Sequence, residues 1–182
     1  METAILTSTN TKWALDLSHS ELMFRVKHLM ISDVKGYFRS FSAEIQGENL
    51  MTSTIRASID ATSIFTNDAS RDGHLKGPDF FDVEQYPEIT FESTSFRKTD
   101  DENYILSGQL TMRGITRPVT LQAEFGGVNK DPWGNEKAAF AVHGKINRKD
   151  WGLNWNAALE AGGVLVSDDV RISAEIQLVK QS

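Results

Sequence analysis

The chain has 182 residues, of which 40% are hydrophobic and 24% are charged, and its formal net charge is -6 at pH 7. This length suits a single domain with one core. The acidic balance disfavours a nucleic-acid partner, because phosphate binding needs a basic footprint. No run of basic residues offers an anionic membrane a landing patch. The absence of cysteine excludes disulfide bonds, thiol catalysis and cysteine-based zinc sites.

The N-terminal residues 1–11 contain neither a basic region nor an apolar region of the kind found in a signal peptide. No segment approaches the run of roughly 18 apolar residues that a membrane-spanning helix needs. We therefore expect one domain over residues 1–182, with 1–11 as an N-terminal extension. We expect a cytoplasmic protein, or a periplasmic one if a signal peptide has been removed.

Apolar and polar residues alternate along most of the chain, which is typical of β-strands with one buried face. In chain order, the alternation predicts strands over residues 13–17, 22–28, 37–46, 54–61, 88–95, 104–112, 118–125, 138–146 and 170–178. Strands at this spacing favour an all-β sandwich or an antiparallel barrel over βαβ units.

Helical patterns are short and confined to the connections. The first is residues 67–76, with Thr66, Asn67 or Asp68 as its cap and Gly77 at its end. The second is residues 78–83, and the third is residues 156–161, which a glycine pair ends.

The inner faces of the predicted strands combine large and small side chains. The small residues on these faces are Ala57, Gly108, Ala123 and Gly144. Two interpretations fit this mixture: a solid core with a taper, or a narrow tunnel in which the small residues leave room. Alternation alone favours the solid core, because most alternating faces are simply core.

The sequence contains no specific catalytic signature. The four histidines are His19, His28, His74 and His143, and none has another histidine four residues away. Near His74 lie Asp72, Asp79, Asp82 and Glu84, which can supply oxygen ligands to a hard metal ion. A solvated acidic loop is the simpler explanation. Since a G-x-S-x-G elbow, a P-loop and a G-x-G-x-x-G motif are also absent, we predict no catalytic residues, no metal site and no cofactor.

Two long connections stand out from ordinary hairpin turns. Residues 63–87 carry the pair Phe80-Phe81, which can plug one barrel end or gate an entry, and Arg71 beside Asp72 can form an interior ion pair. Residues 147–168 contain Trp151, Leu153 and Trp155, and tryptophan suits an entrance where one ring edge stays wet. Two cations of this connection, Arg148 and Lys149, can meet a polar or anionic head group there, or they are plain surface charges.

Taken in order, these segments resemble the YceI-like family of polyisoprenoid-binding proteins. The matching segments are WALDLSHSELMFRVKHLMISDVKGYF, TSIFTND, SRDGHLKGPDFFDVEQYPEITFES, SGQLTMRGITRPVTL, INRKDWGL and VSDDVRISAEIQL. They occur in the family's order, and the resemblance covers roughly residues 12–179. The resemblance implies a lipocalin-like, extended eight-stranded antiparallel barrel that is often a homodimer. It implies an elongated apolar tunnel for a long amphipathic chain such as a polyisoprenoid, an isoprenoid quinone or a fatty amide, and no established catalytic activity. At Trp151 the family usually has phenylalanine, an exchange that alters the tunnel shape there.

With this resemblance, the small inner residues become space for a ligand, and each buried CH2 group of its tail contributes about 0.8 kcal/mol. We predict an interior lined by Phe24, Val26, Phe91, Leu110, Leu121, Phe125, Phe140 and Ile146. The other predicted ligand contacts are His28, Phe80, Phe81, Trp151 and Trp155. The competing hypotheses are a small hydrolase or isomerase that uses His74, Asp72 or His28, and a scaffold barrel without a ligand.

Overall fold

The computed structural model of the protein describes residues 11–47 and 52–181. Its strands are β1 (Thr11–Leu15), β2 (Glu21–His28), β3 (Ser32–Phe38), β4 (Phe41–Gly47), β5 (Thr54–Asp60), β6 (Ile64–Phe65), β7 (Glu88–Lys98), β8 (Asn103–Met112), β9 (Ile115–Lys130), β10 (Glu136–Asn147) and β11 (Val166–Lys180). The helix α1 spans Ala69–Lys76, and short 3-10 helices form at Leu17–His19, Ala61–Ser63 and Arg148–Trp151.

All of these strands belong to one antiparallel sheet that closes on itself. Around the barrel the order is β1, β4, β5, β7, β8, β9, β10 and β11, and β11 pairs again with β1. The long β11 contacts two strands in succession: its beginning pairs with β2 and its end with β1, where Trp13 faces Lys180. Closure leaves few exposed strand edges, which is the usual way in which an antiparallel sheet avoids aggregation. The predicted eight-stranded antiparallel barrel is confirmed.

Three of the eight barrel strands are each broken into two consecutive segments. The strand β2 continues β1 after the 3-10 helix Leu17–His19, β4 continues β3 after a bend at Arg39 and Ser40, and β6 follows β5 after the 3-10 helix Ala61–Ser63. The prediction of one strand over residues 37–46 is therefore wrong at the bend. Alternation conceals this bend, because Tyr37 has the same parity as Phe41, Ala43 and Ile45, although the residue that is buried before the bend is Phe38.

The predicted helix at residues 67–76 is confirmed, with Asp68 as its N-cap accepting a 3.0 Å hydrogen bond from the Arg71 backbone nitrogen. The predicted helix at 78–83 is wrong: this stretch forms consecutive turns, in which the Phe80 and Asp82 nitrogens both donate to the Gly77 carbonyl oxygen. Asp82 takes a left-handed φ of 49°, which ends any helical path.

The predicted helix at 156–161 is also wrong. The side chain of Asn156 accepts from the Val166 backbone nitrogen at 3.0 Å and donates to the Val166 carbonyl oxygen at 2.7 Å. The Asn156 side chain therefore makes the two hydrogen bonds to Val166 that a residue of a neighbouring strand would make. In addition, Ala158 pairs with Val164 in an isolated bridge. A side chain that satisfies strand hydrogen bonds holds this segment extended.

The two ends of the barrel differ. We call the lid end the one where β2 and β10 finish and where residues 61–87 and 148–165 cross over the barrel. We call the other the base end, where the β9–β10 turn at residues 131–135 lies. Near the base end the interior is closed by aromatic rings: Phe96 stacks on Tyr104 with centroids 4.8 Å apart, and Phe125 packs on Phe140 at 5.0 Å.

Candidate functional site: the barrel cavity

The inner faces of the strands enclose a cavity of about 580 Å³. This volume lies within the range of about 300–1,000 Å³ that is usual for small-molecule sites. The period-two alternation of the strands places their apolar residues toward the cavity and their polar residues outward. Of the residues predicted to contact a ligand, the cavity wall includes Phe24, Val26, His28, Phe80, Phe81, Phe91, Leu110, Leu121, Phe140, Ile146 and Trp155.

The other two predicted contacts, Phe125 and Trp151, are not part of the cavity wall. Phe125 belongs to the aromatic closure near the base end and also meets Tyr104 edge-on at 6.4 Å. Trp151 is only 1% exposed, so it does not stand at a wet entrance, and its Nε1 donates to the Leu110 carbonyl oxygen. Their placement lends no support to a direct ligand contact.

Many further residues of the cavity wall are not among the predicted ligand contacts. They include Phe38, Phe41, Ala43, Ile45, Ile55, Ile59, Leu75, Ile89, Val119, Val142, Ile172 and Ile176. Most of these lie at alternate positions of predicted strands, so the same pattern contained the signal that finds them. Leu75 lies on α1, and only the packing of that helix over the barrel identifies it.

The inner glycines make room for neighbouring side chains and not for a ligand. A Cβ atom at Gly108 would lie 2.5 Å from the Phe91 ring, and one at Gly144 would lie 2.5 Å from Leu121 Cδ2. Gly36 stands in the same relation to the Phe24 ring. The expectation that Gly108 and Gly144 provide ligand space is therefore wrong, and the alanine positions Ala43, Ala57, Ala123 and Ala174 remain as small wall residues.

An aromatic cluster covers the lid end. His74 of α1 meets the Trp155 ring edge-on at 4.8 Å and the Phe80 ring edge-on at 5.1 Å, and Phe80 lies 5.4 Å from Trp155. Phe81 turns toward the barrel wall, where it meets Phe38 at 5.8 Å. Phe80 is buried, so this pair packs inward over the cavity and does not point into solvent.

The predicted ion pair between Arg71 and Asp72 does not form, because Thr66 lies between the two side chains. The Asp72 carboxylate accepts hydrogen bonds from the Thr66 nitrogen at 2.8 Å and from its hydroxyl at 2.5 Å. The Arg71 guanidinium donates to the Thr66 hydroxyl at 2.8 Å and to its carbonyl oxygen at 2.7 Å. This arrangement fixes α1 to the preceding segment and holds Arg71 at the cavity edge.

Arg148 is not a surface charge, since it is only 3% exposed and lines the cavity. It donates to the carbonyl oxygens of Leu153 at 2.6 Å, Ser167 at 2.9 Å and Val166 at 3.4 Å. No carboxylate of the described residues lies within ion-pair distance of it, and burial lowers the pKa of its guanidinium. Lys149, in contrast, is exposed and pairs with Asp168 at 3.3 Å.

The polar groups of the cavity wall gather at the lid end. They are Lys27, His28, Asp68, Ser70, Arg71, His74 and Arg148, and most of them are partly or fully exposed. The cavity therefore reaches the surface beside α1 and the end of β2, which we call the mouth. The wall away from the mouth is built from apolar side chains.

The described residues contain no group of three or more histidine, aspartate or glutamate side chains placed to hold a metal ion. His74 contacts Asp79 at 3.0 Å near the surface, and Asp72 is turned away toward Thr66. Among the described residues, no helix has both the length and the apolar character required to cross a membrane.

Comparison with known proteins identifies the barrel. The YceI-like domain family matches residues 13–178. A UPF0312 protein of Staphylococcus aureus strain N315 is 41% identical over 170 residues, which cover 92% of this chain and 96% of that protein. A second one, from strain MSSA476, is 39% identical over the same shares of the two chains.

Solved structures share the architecture. The Campylobacter jejuni YceI protein is 32% identical with a TM-score of 0.72, covering 86% of this chain and 90% of that chain. Burkholderia cenocepacia BcnA is 22% identical with a TM-score of 0.77, covering 90% and 98%. A polyisoprenoid-binding domain from Saccharophagus degradans is 15% identical with a TM-score of 0.69, covering 93% and 98%, so the last two show the fold alone. By the match over residues 13–178 and its relatives, the chain belongs to the YceI-like family.

Proposed function

We propose that the protein binds one long-chain amphipathic lipid, such as a polyisoprenoid, an isoprenoid quinone or a fatty amide, and acts as its carrier or store. The observation that carries this proposal is the cavity of about 580 Å³, whose polar groups gather at the mouth while the rest of its wall is apolar. Such a wall favours a molecule with one long apolar part and one polar end. One structural neighbour is described as polyisoprenoid-binding, which agrees with that class of ligand.

The tail of the lipid would lie along the apolar wall. Each CH2 group that leaves water there contributes about 0.8 kcal/mol, so a long chain binds tightly without directed contacts. Phe96, Tyr104, Phe125 and Phe140 pack together toward the base end, and this packing limits how far a tail extends. Selection between similar tails would be weak, because one methylene in an apolar pocket discriminates poorly, and any selectivity would come from the length of the tunnel and from the polar groups near the head.

The head group would lie at the mouth, near His28, Arg71, His74 and Arg148. The Arg148 guanidinium is buried, donates to carbonyl oxygens and has no carboxylate of the described residues within ion-pair distance, so Asp168 offsets its positive charge only from further away. A head group with an oxygen acceptor, such as a phosphate, a quinone carbonyl or an amide carbonyl, complements this cation and the neighbouring Arg71.

Binding explains the polar groups better than catalysis does. A general acid or base needs a group free to exchange a proton with the substrate, yet the Asp72 carboxylate is occupied by two hydrogen bonds from Thr66. His74 contacts Asp79 through Nε2 alone and packs on the rings of Phe80 and Trp155, an arrangement that also suits a positioned acid or base, so His74 is the residue that tests the catalytic alternative. The hydrolase or isomerase hypothesis predicts a turnover that His74→Ala abolishes, whereas a carrier returns its lipid unchanged.

The direct test is to purify the protein from cells without detergent, extract it with organic solvent and identify the extracted molecules by mass spectrometry. We expect close to one lipid with a long apolar chain per protein molecule. Recovery of no stoichiometric lipid from protein that is folded by circular dichroism would overturn the proposal.

A further inference from the structure

The outer surface beside the mouth carries a row of basic residues that crosses four strands. Lys145 on β10 faces Arg171 on β11, Arg171 faces Arg25 on β2, and Arg25 faces Lys35 on β3. In each strand, a residue directly before or after the basic residue lines the cavity. Because successive side chains of a strand point to opposite faces, all four basic side chains lie on the outer face of the barrel. We call these residues the basic row. Because four separate strands supply them, the linear sequence shows no basic run.

The basic row is not explained by the stability of the sheet. Like charges on directly opposite residues destabilise a sheet, and here three successive pairs are like-charged. Compensation is partial: Arg25 lies 3.7 Å from Asp33 and Lys145 lies 3.7 Å from Asp169. Neither Arg171 nor Lys35 has a carboxylate within ion-pair distance among residues 11–47 and 52–181, and Asp33 attracts Arg171 only from further away. A protein of net charge -6 thus concentrates positive charge on one surface.

Next to the basic row, the turn between β2 and β3 presents apolar side chains to solvent. Ile31 is 82% exposed and Met30 is 55% exposed, with Leu29 and Val164 beside them. We call these four residues the apolar tip. Leu29 and Met30 have left-handed φ values of 53° and 66°, a conformation that non-glycine residues with apolar side chains rarely adopt. Strain of this kind points to a functional reason for the exposed turn.

The apolar tip is continuous with the mouth of the cavity. Its Leu29 nitrogen donates to the Leu165 carbonyl oxygen at 2.9 Å, and His28 pairs with Val166. His28, Leu165 and Val166 all line the cavity. A surface that covers the apolar tip would therefore lie next to the opening through which a ligand would enter the cavity.

We propose that the lid end docks on the surface of a membrane that contains anionic lipids, with the basic row on the head groups and the apolar tip inserted among them. Basic side chains beside exposed apolar ones are the combination that binds such an interface. The proposal deepens the proposed function, since a docked mouth would exchange lipid with the membrane without passing it through water.

The charge distribution also sets the orientation of docking. Toward the base end of the same strands, the next outward charged pair is Glu175 on β11 facing Glu21 on β2. This acidic pair is repelled by an anionic surface while the basic row is attracted to it. The barrel would consequently stand with its lid end toward the membrane and its base end in water.

The test uses vesicles without any cargo lipid, so that docking and ligand binding can fail separately. Because the chain has no cysteine, Ile31→Cys gives a single site for a polarity-sensitive fluorophore. Trp133→Cys is the matched control, since Trp133 is 83% exposed in the turn at the base end. We expect the label at 31 to shift to the blue with phosphatidylcholine vesicles that contain phosphatidylglycerol, and the label at 133 to stay unchanged.

The contribution of the basic row is tested by vesicle flotation. Each basic residue near an anionic surface changes affinity about fivefold, so Lys35→Gln/Arg171→Gln should lower it about twenty-five-fold. Lys98→Gln/Lys130→Gln, which removes the same charge near the base end, should change it less than twofold. Equal binding to vesicles of phosphatidylcholine alone, an equal response of both labels, or binding only to a soluble polyanion such as heparin would overturn docking on a membrane.

Discussion

The indole Nε1 of Trp151 donates a hydrogen bond of 2.9 Å to the backbone carbonyl oxygen of Leu110, and the Trp151 side chain is among the most buried of the described residues. This bond fixes the 3-10 helix Arg148–Trp151 to β8 at the lid end. Because phenylalanine keeps an aromatic ring but has no N–H donor, Trp151→Phe is a conservative test of it. We expect a loss of about 1–3 kcal/mol in the free energy of unfolding, because a buried carbonyl oxygen loses its donor. Urea unfolding measures it. An unchanged midpoint would show that the hydrogen bond contributes nothing.

The Phe24 ring packs so closely on Gly36 that it leaves no room for a side chain at this position. A Cβ atom at Gly36 would overlap this ring, whereas one at Gly73, on the exposed side of α1, would meet nothing within 4 Å. We expect Gly36→Ala to destabilise the protein by about 1–3 kcal/mol or to push the ring into the cavity. The control Gly73→Ala should stabilise it by about 0.5–1 kcal/mol through helix propensity. Thermal unfolding of both variants distinguishes them, and equal melting temperatures would contradict the packing described.

Alternation predicts the strands and part of the cavity wall, because it depends only on the local period of a strand, whereas the choice of a barrel over a sandwich follows from the resemblance to the YceI-like family. Phe24, Phe91 and Leu110 are examples of wall residues found in this way. The bend at Arg39 and Ser40 is not predictable from alternation, since it follows from how two neighbouring strands pair around the barrel.

Cross-strand relations are equally hidden in the sequence. From the sequence alone, Gly108 is expected to leave space for a ligand, but in the structure the Phe91 ring fills that space. From the sequence alone, Arg148 can be a surface cation, but in the structure it is buried and donates to three carbonyl oxygens. The alignment of Arg25 with Arg171 and Lys35 depends on register, which alternation alone does not fix.

Arg148 should be essential to the lid end. Arg148→Met removes the donors to the carbonyl oxygens of Leu153, Val166 and Ser167. We expect a loss of about 2–5 kcal/mol in the free energy of unfolding, the range for a broken buried network. Arg148→Lys keeps the charge but lacks the planar fork, so it should rescue only part of the stability.

The two Arg148 variants also separate structure from head-group recognition. If the guanidinium holds the head group, folded Arg148→Lys should retain less lipid with an oxygen-rich head than the unaltered protein does, as measured by extraction and mass spectrometry. Equal retention would assign Arg148 a structural role alone.

Asp16 makes the stability of the barrel pH-dependent. Hydrogen bonds from Ser18, His19 and Lys137 hold the pKa of its carboxyl well below the ordinary value, with the hydrogen bond from Ser18 contributing most. A lowered folded-state pKa adds stability that is present above the unfolded value near 3.9 and is lost as the pH falls through the folded value. We expect Asp16→Asn to be less stable than the unaltered protein at pH 7 by about 1–2 kcal/mol.

The difference in the free energy of unfolding between the unaltered protein and Asp16→Asn should shrink as the pH falls below about 4. Below this pH the Asp16 carboxyl of the unfolded chain is protonated, and the stabilisation from its ionised form in the folded protein decreases. Urea unfolding of both proteins across that range measures it. Asp101→Asn is the matched control, because this exposed aspartate has only a 4.0 Å contact with Lys98. A difference between Asp16→Asn and the unaltered protein that stays constant with pH would contradict the assignment.

The central claim, that the cavity holds a long apolar chain, is tested most directly by filling the cavity from within. Ala57 lies on the wall between Ala43 and Phe91, so Ala57→Phe places a ring in the empty space, whereas Ala141→Phe adds the same ring on the outer face of β10. Delipidated protein is titrated with a polyprenol, and the bound lipid is counted by native mass spectrometry. We expect one lipid per chain for the unaltered protein and for Ala141→Phe, and none for folded Ala57→Phe. No uptake by the unaltered protein, or equal uptake by Ala57→Phe, would contradict the claim.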